Sequence, residues 1–360
     1  MSTEDFTYAG SGVDRELRVK SKQSLRLLGE TFALSRYGKV VNLPFGNIFP
    51  FSEDRFLDFV IECVGTKVLI AQLAEKYDTI AIDGIAMAVN DVIRSGARPL
   101  AIVDNIYTQV SDPPLMNEWM KGIVKGAKEA ECLVPNGETG NVGELIRGLS
   151  EGNGFDMIFA SVGEVKKKKV ISGKDVKPGD AIVGLRSSGV HSNGLSLVRR
   201  ILFKRWGGMY EPHDVPNGFD KGIVYEVLEP TKIYVKPVLA VADQVKLKAS
   251  VHITGDAYLK FGKLAVFSPG IGFVFDNFTP QPVFGLIQDT ASRLGGRISD
   301  EEMFKTFNMG WGFALVVDKA DADDVIEIVQ KNDVHAEQIG RVSDSSGVVV
   351  LYDGKKMILA

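Results

Sequence analysis

Acidic and amide side chains that could hold a divalent cation recur along one segment of the sequence. Asn90 and Asp91 follow Asp83 by seven and eight residues. Seven residues are almost two turns of an α-helix, so Asp83 and Asn90 share one stripe and Asp91 lies about 80° further round. Carboxylates near a phosphate loop can hold Mg²⁺, which neutralises charge on nucleotide phosphates. For this helix alone, a solvated polar face is the favoured alternative.

A short segment before this helix has the residue types of a phosphate-binding loop. Gly65, Thr66 and Lys67 follow an apolar strand predicted at 59–61, and Glu62 lies just before them. Such a loop can bring backbone N–H groups and one ammonium group to phosphate oxygens. Taken alone, the segment is better explained as an ordinary turn between a strand and a helix.

Two further polar loops occur later in the sequence. The first, Gly137 to Gly140, places Glu138 and Thr139 between glycines at a strand end, where open α/β sheets tend to build sites. The second, Ser187 to Gly194, precedes a predicted helix whose N-terminus could bind an anion. A plain turn and a capped helix start, with Asn193 as the cap, are the alternatives. The second loop contains Ser188, His191, Ser192, Asn193 and Gly194.

Strands and helices alternate in two successive sets, which predicts two α/β or α+β layers with mixed sheets. We expect domains at 1–165 and 166–360, joined by a solvated turn at Lys166 to Lys169, and an arm or loop over the first forty residues. Another loop is expected at 135–143. The predicted helices span 80–96, 115–132, 195–203, 233–245, 282–294 and 322–331. The predicted strands span 59–61, 99–106, 155–165, 181–185, 312–318 and 347–359, the last with a hairpin at Asp353-Gly354.

Composition excludes several classes of function. A net charge of −4 gives no overall electrostatic footprint for nucleic acid. No signal peptide or long apolar run is present in the sequence, so we expect a cytoplasmic location with no membrane contact. The two cysteines and four scattered histidines do not have the spacing of a zinc site. Any metal should therefore be held by oxygen, with Mg²⁺ the first candidate.

The order and spacing of these segments resemble the aminoimidazole ribonucleotide synthetase (phosphoribosylformylglycinamidine cyclo-ligase) family over nearly the whole chain. The His191 to Gly194 segment together with Thr306-Phe307-Asn308 separates that family from its superfamily relatives. The matching segments are 9–14, 64–67, 78–83, 86–91, 96–100, 137–139, 187–194 and 303–310.

The resemblance implies an enzyme of purine biosynthesis that uses ATP to close the ring of formylglycinamidine ribonucleotide, giving aminoimidazole ribonucleotide. It also implies a homodimer whose first domains pair their sheets into a barrel. By motif, it implies that Lys67 contacts phosphate. His191 is a candidate to move a proton or to bind the substrate phosphate, because an imidazole titrates near neutral pH. The implied metal ligands are Glu62, Asp91 and Glu138; the implied nucleotide contacts are Gly65, Thr66, Lys67, Asn90, Thr139, Ser188, Ser192, Asn193 and Gly194.

The sequence departs from the family pattern at three places. Glu62-Cys63 replaces the usual Asp-Gly, the glycine-rich segment of the arm is reduced to Pro44-Phe45-Gly46, and Thr254 to Ala257 has lost two glycines. A remodelled substrate pocket and a drifted activity are the two explanations. The alternative functions are a superfamily relative that uses ATP on another acceptor, such as thiamine phosphate or selenide, and a catalytically silent nucleotide-binding module.

Overall fold

A computed structural model describes residues 4–360 and contains two mixed β-sheets, each layered with helices. The first sheet has strand order β2-β3-β4-β7-β5-β6, antiparallel except for the parallel pair β5-β6. Its strands are β2 (Val41–Leu43), β3 (Gly46–Pro50), β4 (Arg55–Cys63), β5 (Arg98–Thr108), β6 (Gly137–Asn141) and β7 (Phe155–Lys166). The helices of this half are α1 (Arg15–Lys22), α2 (Val68–Ala74), α3 (Ile80–Val92) and α4 (Pro113–Glu129).

The second sheet has order β15-β14-β10-β13-β8-β12-β9, with β14 and β10 parallel and the other pairs antiparallel. Its strands are β8 (Ala181–Arg186), β9 (Ala249–His252), β10 (Gly272–Phe275), β12 (Trp311–Val317), β13 (Ala336–Ser343), β14 (Gly347–Tyr352) and β15 (Lys355–Ile358). A separate pair joins β1 (Glu4–Asp5) to β11 (Gly296–Arg297). The helices are α5 (Leu195–Leu202), α6 (Ile223–Leu228), α7 (Val235–Gln244), α8 (Pro282–Arg293), α9 (Asp300–Thr306) and α10 (Ala322–Gln330).

Helix α3 is the structural centre of the molecule. Every one of its residues is buried. Its apolar positions pack on α4 and on the inner face of the first sheet, as the spacing predicts. A 3-10 turn at Ile93–Ser95 continues it, and Gly96 closes it in the left-handed conformation (φ 83°) that glycine adopts at helix ends.

The outer face of the first sheet carries apolar side chains that no other part of residues 4–360 covers. Along β4, Phe59 and Ile61 are 60% and 69% exposed, and Cys63 follows them on the same face. On the neighbouring strand β7, Val162 and Ala160 are the register partners of Phe59 and Ile61. Exposed apolar side chains grouped on one face of a sheet usually mark an interface.

Several sequence-based expectations need correction. Part of the arm expected to lack structure forms α1, whose N-terminus Asp14 caps by accepting from the Leu17 N–H. The segment expected as a loop at 135–143 contains β6, held by the main-chain bonds of β5. Asn193 does not cap α5, because Gly194 occupies the cap position in a left-handed conformation. Within the described residues, no helix is long and apolar enough to cross a membrane.

Candidate active site between the two domains

The polar stripe of α3 faces the second half of the chain, not solvent. Asp83, Asn90 and Asp91 are respectively 0%, 0% and 7% exposed. The solvated-face interpretation is therefore wrong, and three polar side chains are available to meet partners from the second domain. Since buried polar groups are costly unless hydrogen-bonded, each of the three contacts is informative.

Asp83 joins three segments of the chain. Its Oδ1 accepts hydrogen bonds from Lys67 Nζ at 2.7 Å, from Ser192 Oγ at 3.0 Å and from Thr231, through both its N–H (2.8 Å) and its Oγ1 (2.6 Å). Lys67 also donates to the Glu229 carbonyl at 2.6 Å and is fully buried. The loop of Gly65 and Thr66 is a 3-10 turn (Gly65–Lys67) in which Thr66 stays exposed. Lys67 therefore points into the domain interface.

Asn90 lies two turns further along α3 and also contacts the second domain. Its Nδ2 donates to the Lys232 carbonyl at 2.8 Å, and its Oδ1 accepts from the Tyr234 N–H at 2.8 Å. The side-chain amide thus satisfies one donor and one acceptor of the backbone that follows Thr231. Asn90 is engaged with protein backbone on both atoms.

Asp91 makes two contacts of its own. His252 Nδ1, at the end of β9, lies 2.8 Å from Oδ1, and Arg94 Nη2 lies 2.8 Å from Oδ2. Burial acts to raise the pKa of Asp91, but Arg94 and His252 outweigh it and hold the pKa well below its usual range. Burial lowers the pKa of His252 to about 4, so the imidazole is neutral and its Nδ1 donates to the ionised carboxylate.

Two more carboxyl groups of β4 face Asp91. Burial, reinforced by the charge of Asp91, raises the pKa of Glu62 to about 7. Burial also raises the pKa of Asp58 to about 6. A narrow cleft of about 30 Å³ lies beside Asp58, Asp91 and Arg94. Phe45 of the arm covers it, with the centre of its ring 5.2 Å from the Arg94 guanidinium carbon. This volume is well below the range for ligand pockets, so the cleft is closed to a nucleotide in this conformation.

Glu138 and Thr139 lie elsewhere. β6 is the third strand from β4, about 14 Å away at ordinary strand spacing. Glu138 is the register partner of Asn105, which belongs to the outer sheet face, and its side chain is exposed. In residues 4–360 no group of three His, Cys, Asp or Glu side chains is arranged to hold a metal ion. Glu62 and Asp91 therefore meet, and Glu138 does not join them within one chain.

The second-domain loop from Ser187 to Gly194 lies beside Asp83, which Ser192 of this loop contacts. His191 is 1% exposed, has a left-handed backbone (φ 58°) and accepts the Ser188 N–H at its Nε2, 3.1 Å away. Burial, with His252 and Lys67 nearby, lowers the pKa of His191 well below its usual range. His191 is therefore neutral and carries its proton on Nδ1, which weakens the proton-shuttle assignment. Ser188 Oγ donates to the Pro230 carbonyl at 2.5 Å.

The positions with lost glycines keep a glycine-like backbone. Asp256 and Ala257 have φ of 68° and 37°, which costs a non-glycine residue conformational energy. Asp256 lies 3.8 Å from Arg15 and 4.0 Å from Arg18 of α1. These contacts connect the arm to the second domain.

Sequence reasoning missed His252, Thr231 and Arg94. His252 is one of only four histidines and stands two residues before the Thr254-Gly255 turn, which is a weak signal. Arg94 follows Asp91 by three residues, a spacing at which helical side chains meet. Nothing local marks Thr231, because its partner Asp83 lies 148 residues earlier.

Two family models match the chain. One is the N-terminal domain of AIR synthase related proteins, over residues 46–165, and the other is the C-terminal domain of the same proteins, over residues 177–353. The chain therefore belongs to the AIR synthase related family. Its two large mixed sheets belong to separate domains, and the buried polar side chains of α3 form a polar seam between those domains.

Three similar curated proteins narrow this class further, since each is named phosphoribosylformylglycinamidine cyclo-ligase. The one from Methanococcus maripaludis strain C5 is 40% identical over 324 residues, covering 85% of this chain and 86% of its own. The one from Methanocaldococcus jannaschii is 41% identical over 320 residues, with the same coverage. The one from Pyrococcus furiosus is 36% identical over 369 residues, covering 98% of this chain and all of its own.

Solved structures share the fold at low identity. Thermotoga maritima PurL complexed with ADP has a TM-score of 0.60 at 14% identity, covering 91% of this chain and 47% of that one. The hydrogenase maturation protein HypE has a TM-score of 0.57 at 16% identity, covering 91% and 92%. At such identities the likeness concerns the fold alone.

Proposed function

We propose that this chain catalyses the ATP-dependent ring closure of formylglycinamidine ribonucleotide to aminoimidazole ribonucleotide, ADP and phosphate. The observation that carries the proposal is the 36 to 41% identity, over most of both chains, to proteins named phosphoribosylformylglycinamidine cyclo-ligase. We place the reaction at the cleft beside Asp91, where residues of both domains meet.

The chemistry sets what the site must supply. An amide oxygen is a poor leaving group, so the formyl oxygen first attacks the γ-phosphorus of ATP and ADP leaves. The amidine nitrogen then attacks the activated carbon, the C–O bond breaks, and phosphate departs with the former formyl oxygen. Phosphoryl transfer depends mainly on positioning and charge neutralisation. Arg94, at the wall of the cleft beside Asp91, is the cation we assign to the phosphate charges.

A magnesium ion held by Glu62, Asp91 and Glu138 does not fit the residues of one chain. The two oxygens of Asp91 already face His252 and Arg94. The positive charges of Arg94 and Lys260, together with the N–H of His252, disfavour a further cation at this carboxylate. Glu138 lies three strands from Glu62 and on the other sheet face. We therefore assign no step of the reaction to a magnesium ion on these ligands.

We also propose a homodimer that buries the outer face of the first sheet. The support is the exposed apolar surface around Phe59 and Ile61, which a second copy of the same sheet would cover. Glu138 lies on that face, so in such a dimer it can serve a site only together with the partner subunit. The proposed division into domains, 1–165 and 166–360, separates the residues of the two large sheets.

The direct test is to incubate purified protein with ATP, magnesium and formylglycinamidine ribonucleotide and to measure aminoimidazole ribonucleotide by mass spectrometry. Product formation that requires ATP supports the proposal. ATP binding without product in the presence of this substrate would overturn it. Turnover with thiamine phosphate or selenide would then identify another acceptor.

A further inference from the structure

Lys67 occupies a position at odds with a phosphate contact. Its side chain is 0% exposed, and its ammonium group donates to Asp83 Oδ1 and to the Glu229 carbonyl at 2.7 and 2.6 Å. To reach a nucleotide phosphate, the ammonium group would have to leave both partners. Asp83 would then be a buried carboxylate without a counter-charge, which is strongly unfavourable.

We propose that Lys67 is the counter-ion of Asp83 and that Asp83 is a positioning residue, which fixes the second-domain loops of the site against α3. Neither side chain contacts the nucleotide. The inference rests on the proposed function only where turnover is measured.

Geometry supports the positioning role. Asp83 holds Ser192, in the loop that leads to α5, and both the backbone and hydroxyl of Thr231. Ser192 Oγ and Thr231 Oγ1 also lie 3.1 Å apart. One carboxylate oxygen thus sets the relative placement of two loops that are 39 residues apart in sequence.

The contacts of Asn90 extend this placement along α3. Asn90 follows Asp83 by seven residues on the same stripe and binds the backbone of Lys232 and Tyr234, directly after Thr231. The segment from Thr231 to Tyr234 is therefore held at both ends by the helix that also carries Asp91. A shift of Asp83 would move this segment and the Ser192 loop relative to the cleft.

A double-mutant cycle separates the two roles of Lys67. Lys67→Met removes the cation, and Asp83→Asn keeps an acceptor oxygen for Ser192 and Thr231 while removing the charge. We expect each single variant to lower kcat about tenfold or more, and the double variant to regain at least about tenfold over the product of the two effects. The KM for ATP of the double variant should stay within about threefold of the wild type. A tenfold rise in that KM, shared by Lys67→Met and the double variant, would mean that Lys67 contacts phosphate and would overturn the proposal.

Milder variants cover the case in which a single charge removal prevents folding. Ser192→Ala and Thr231→Val each remove bonds to Asp83 and leave the ion pair intact. We expect a lower kcat with the KM for ATP nearly unchanged. An unchanged kcat in both variants would contradict the positioning role.

The matched control is the buried pair Lys248 and Asp180, 2.7 Å apart and wholly within the second half of the chain. Lys248→Met with Asp180→Asn should lower the urea midpoint of unfolding without changing kcat or the KM for ATP. If this control reproduces the kinetic pattern of the Lys67 and Asp83 variants, general destabilisation explains that pattern and the proposal fails.

If the wild type makes no product, the proposed function fails. The same double-mutant cycle is then measured on the dissociation constant of a fluorescent ATP analogue. A rise in that constant shared by Lys67→Met and the double variant would still overturn the inference.

Discussion

His252 of the second domain donates a hydrogen bond from Nδ1 to the carboxylate of Asp91 on α3, with 2.8 Å between the two atoms. The pair is buried and closed on its other side by Arg94. It is the contact by which the end of α3 meets β9. Its charge state is set by the surroundings, with the carboxylate ionised and the imidazole neutral.

Removal of the Asp91 carboxylate should be strongly destabilising. Asp91→Ala leaves Arg94 and His252 without their shared partner, and we expect the free energy of unfolding to fall by roughly 3 kcal/mol. Urea denaturation followed by circular dichroism measures this loss. The exposed Asp54→Ala is the control and should change stability by less than about 0.5 kcal/mol. Equal effects of the two substitutions would show that the Asp91 pair contributes little.

Glu62 should make stability fall as the pH rises. Its folded-state pKa of about 7 exceeds the ordinary value of 4.5, so the folded state binds this proton more tightly than the unfolded chain does. The resulting contribution is complete below about pH 4.5 and is lost as the pH rises through about 7. Glu62→Gln should therefore gain on the order of 2 kcal/mol relative to the wild type between pH 5 and pH 8.

Urea unfolding at those two pH values tests this sign, with the exposed Glu53→Gln as a control for the loss of one charge. A stability difference between Glu62→Gln and the wild type that is the same at both pH values would refute the assignment.

His191 combines a left-handed backbone with an acceptor for the Ser188 N–H. Asparagine tolerates that backbone and keeps an acceptor, whereas valine is β-branched and has none. We expect His191→Val to be less stable than His191→Asn by about 1 to 2 kcal/mol, measured by thermal or urea unfolding. Equal stability of the two variants would mean that neither the backbone nor the hydrogen bond matters.

The outer face of the first sheet should control association. Ile61→Lys places a charge in the middle of the exposed apolar surface, and we expect it to shift a dimer to a monomer in sedimentation equilibrium. Val124→Lys is the control, since Val124 is 51% exposed on α4, away from that face. A dimer that survives Ile61→Lys and dissociates with Val124→Lys would place the interface on the helical side.

Glu138 should act across the dimer, in the site of the partner subunit. Co-expressed Asp91→Asn and Glu138→Gln subunits form mixed dimers in which one of the two sites keeps both side chains. If each alone is inactive, we expect the mixture to regain up to about a quarter of wild-type turnover. An inactive mixture, with mixed dimers demonstrated by differential tagging, would mean that both side chains serve one chain.

Local periodicity of apolar residues and turn motifs predicted much of the architecture. Helices over 80–96, 115–132, 282–294 and 322–331 were predicted within a few residues of α3, α4, α8 and α10, and the hairpin at Asp353-Gly354 joins β14 to β15. Short elements such as β2, β3 and α6 were missed, because they depend on contacts with distant segments more than on their own periodicity.

What the sequence determined by itself is the period of each element, the stripe shared by Asp83 and Asn90, and the motifs that place the chain in its family. The stripe of Asp83 and Asn90 is buried because the second domain packs on α3, which the sequence alone does not show. Lys67, Asp83 and Thr231 meet across separations of 16 and 148 residues, and Glu138 falls on the far sheet face because of a strand register. Periodicity is a local property, whereas the partner of a buried charge is set by whatever tertiary packing brings beside it.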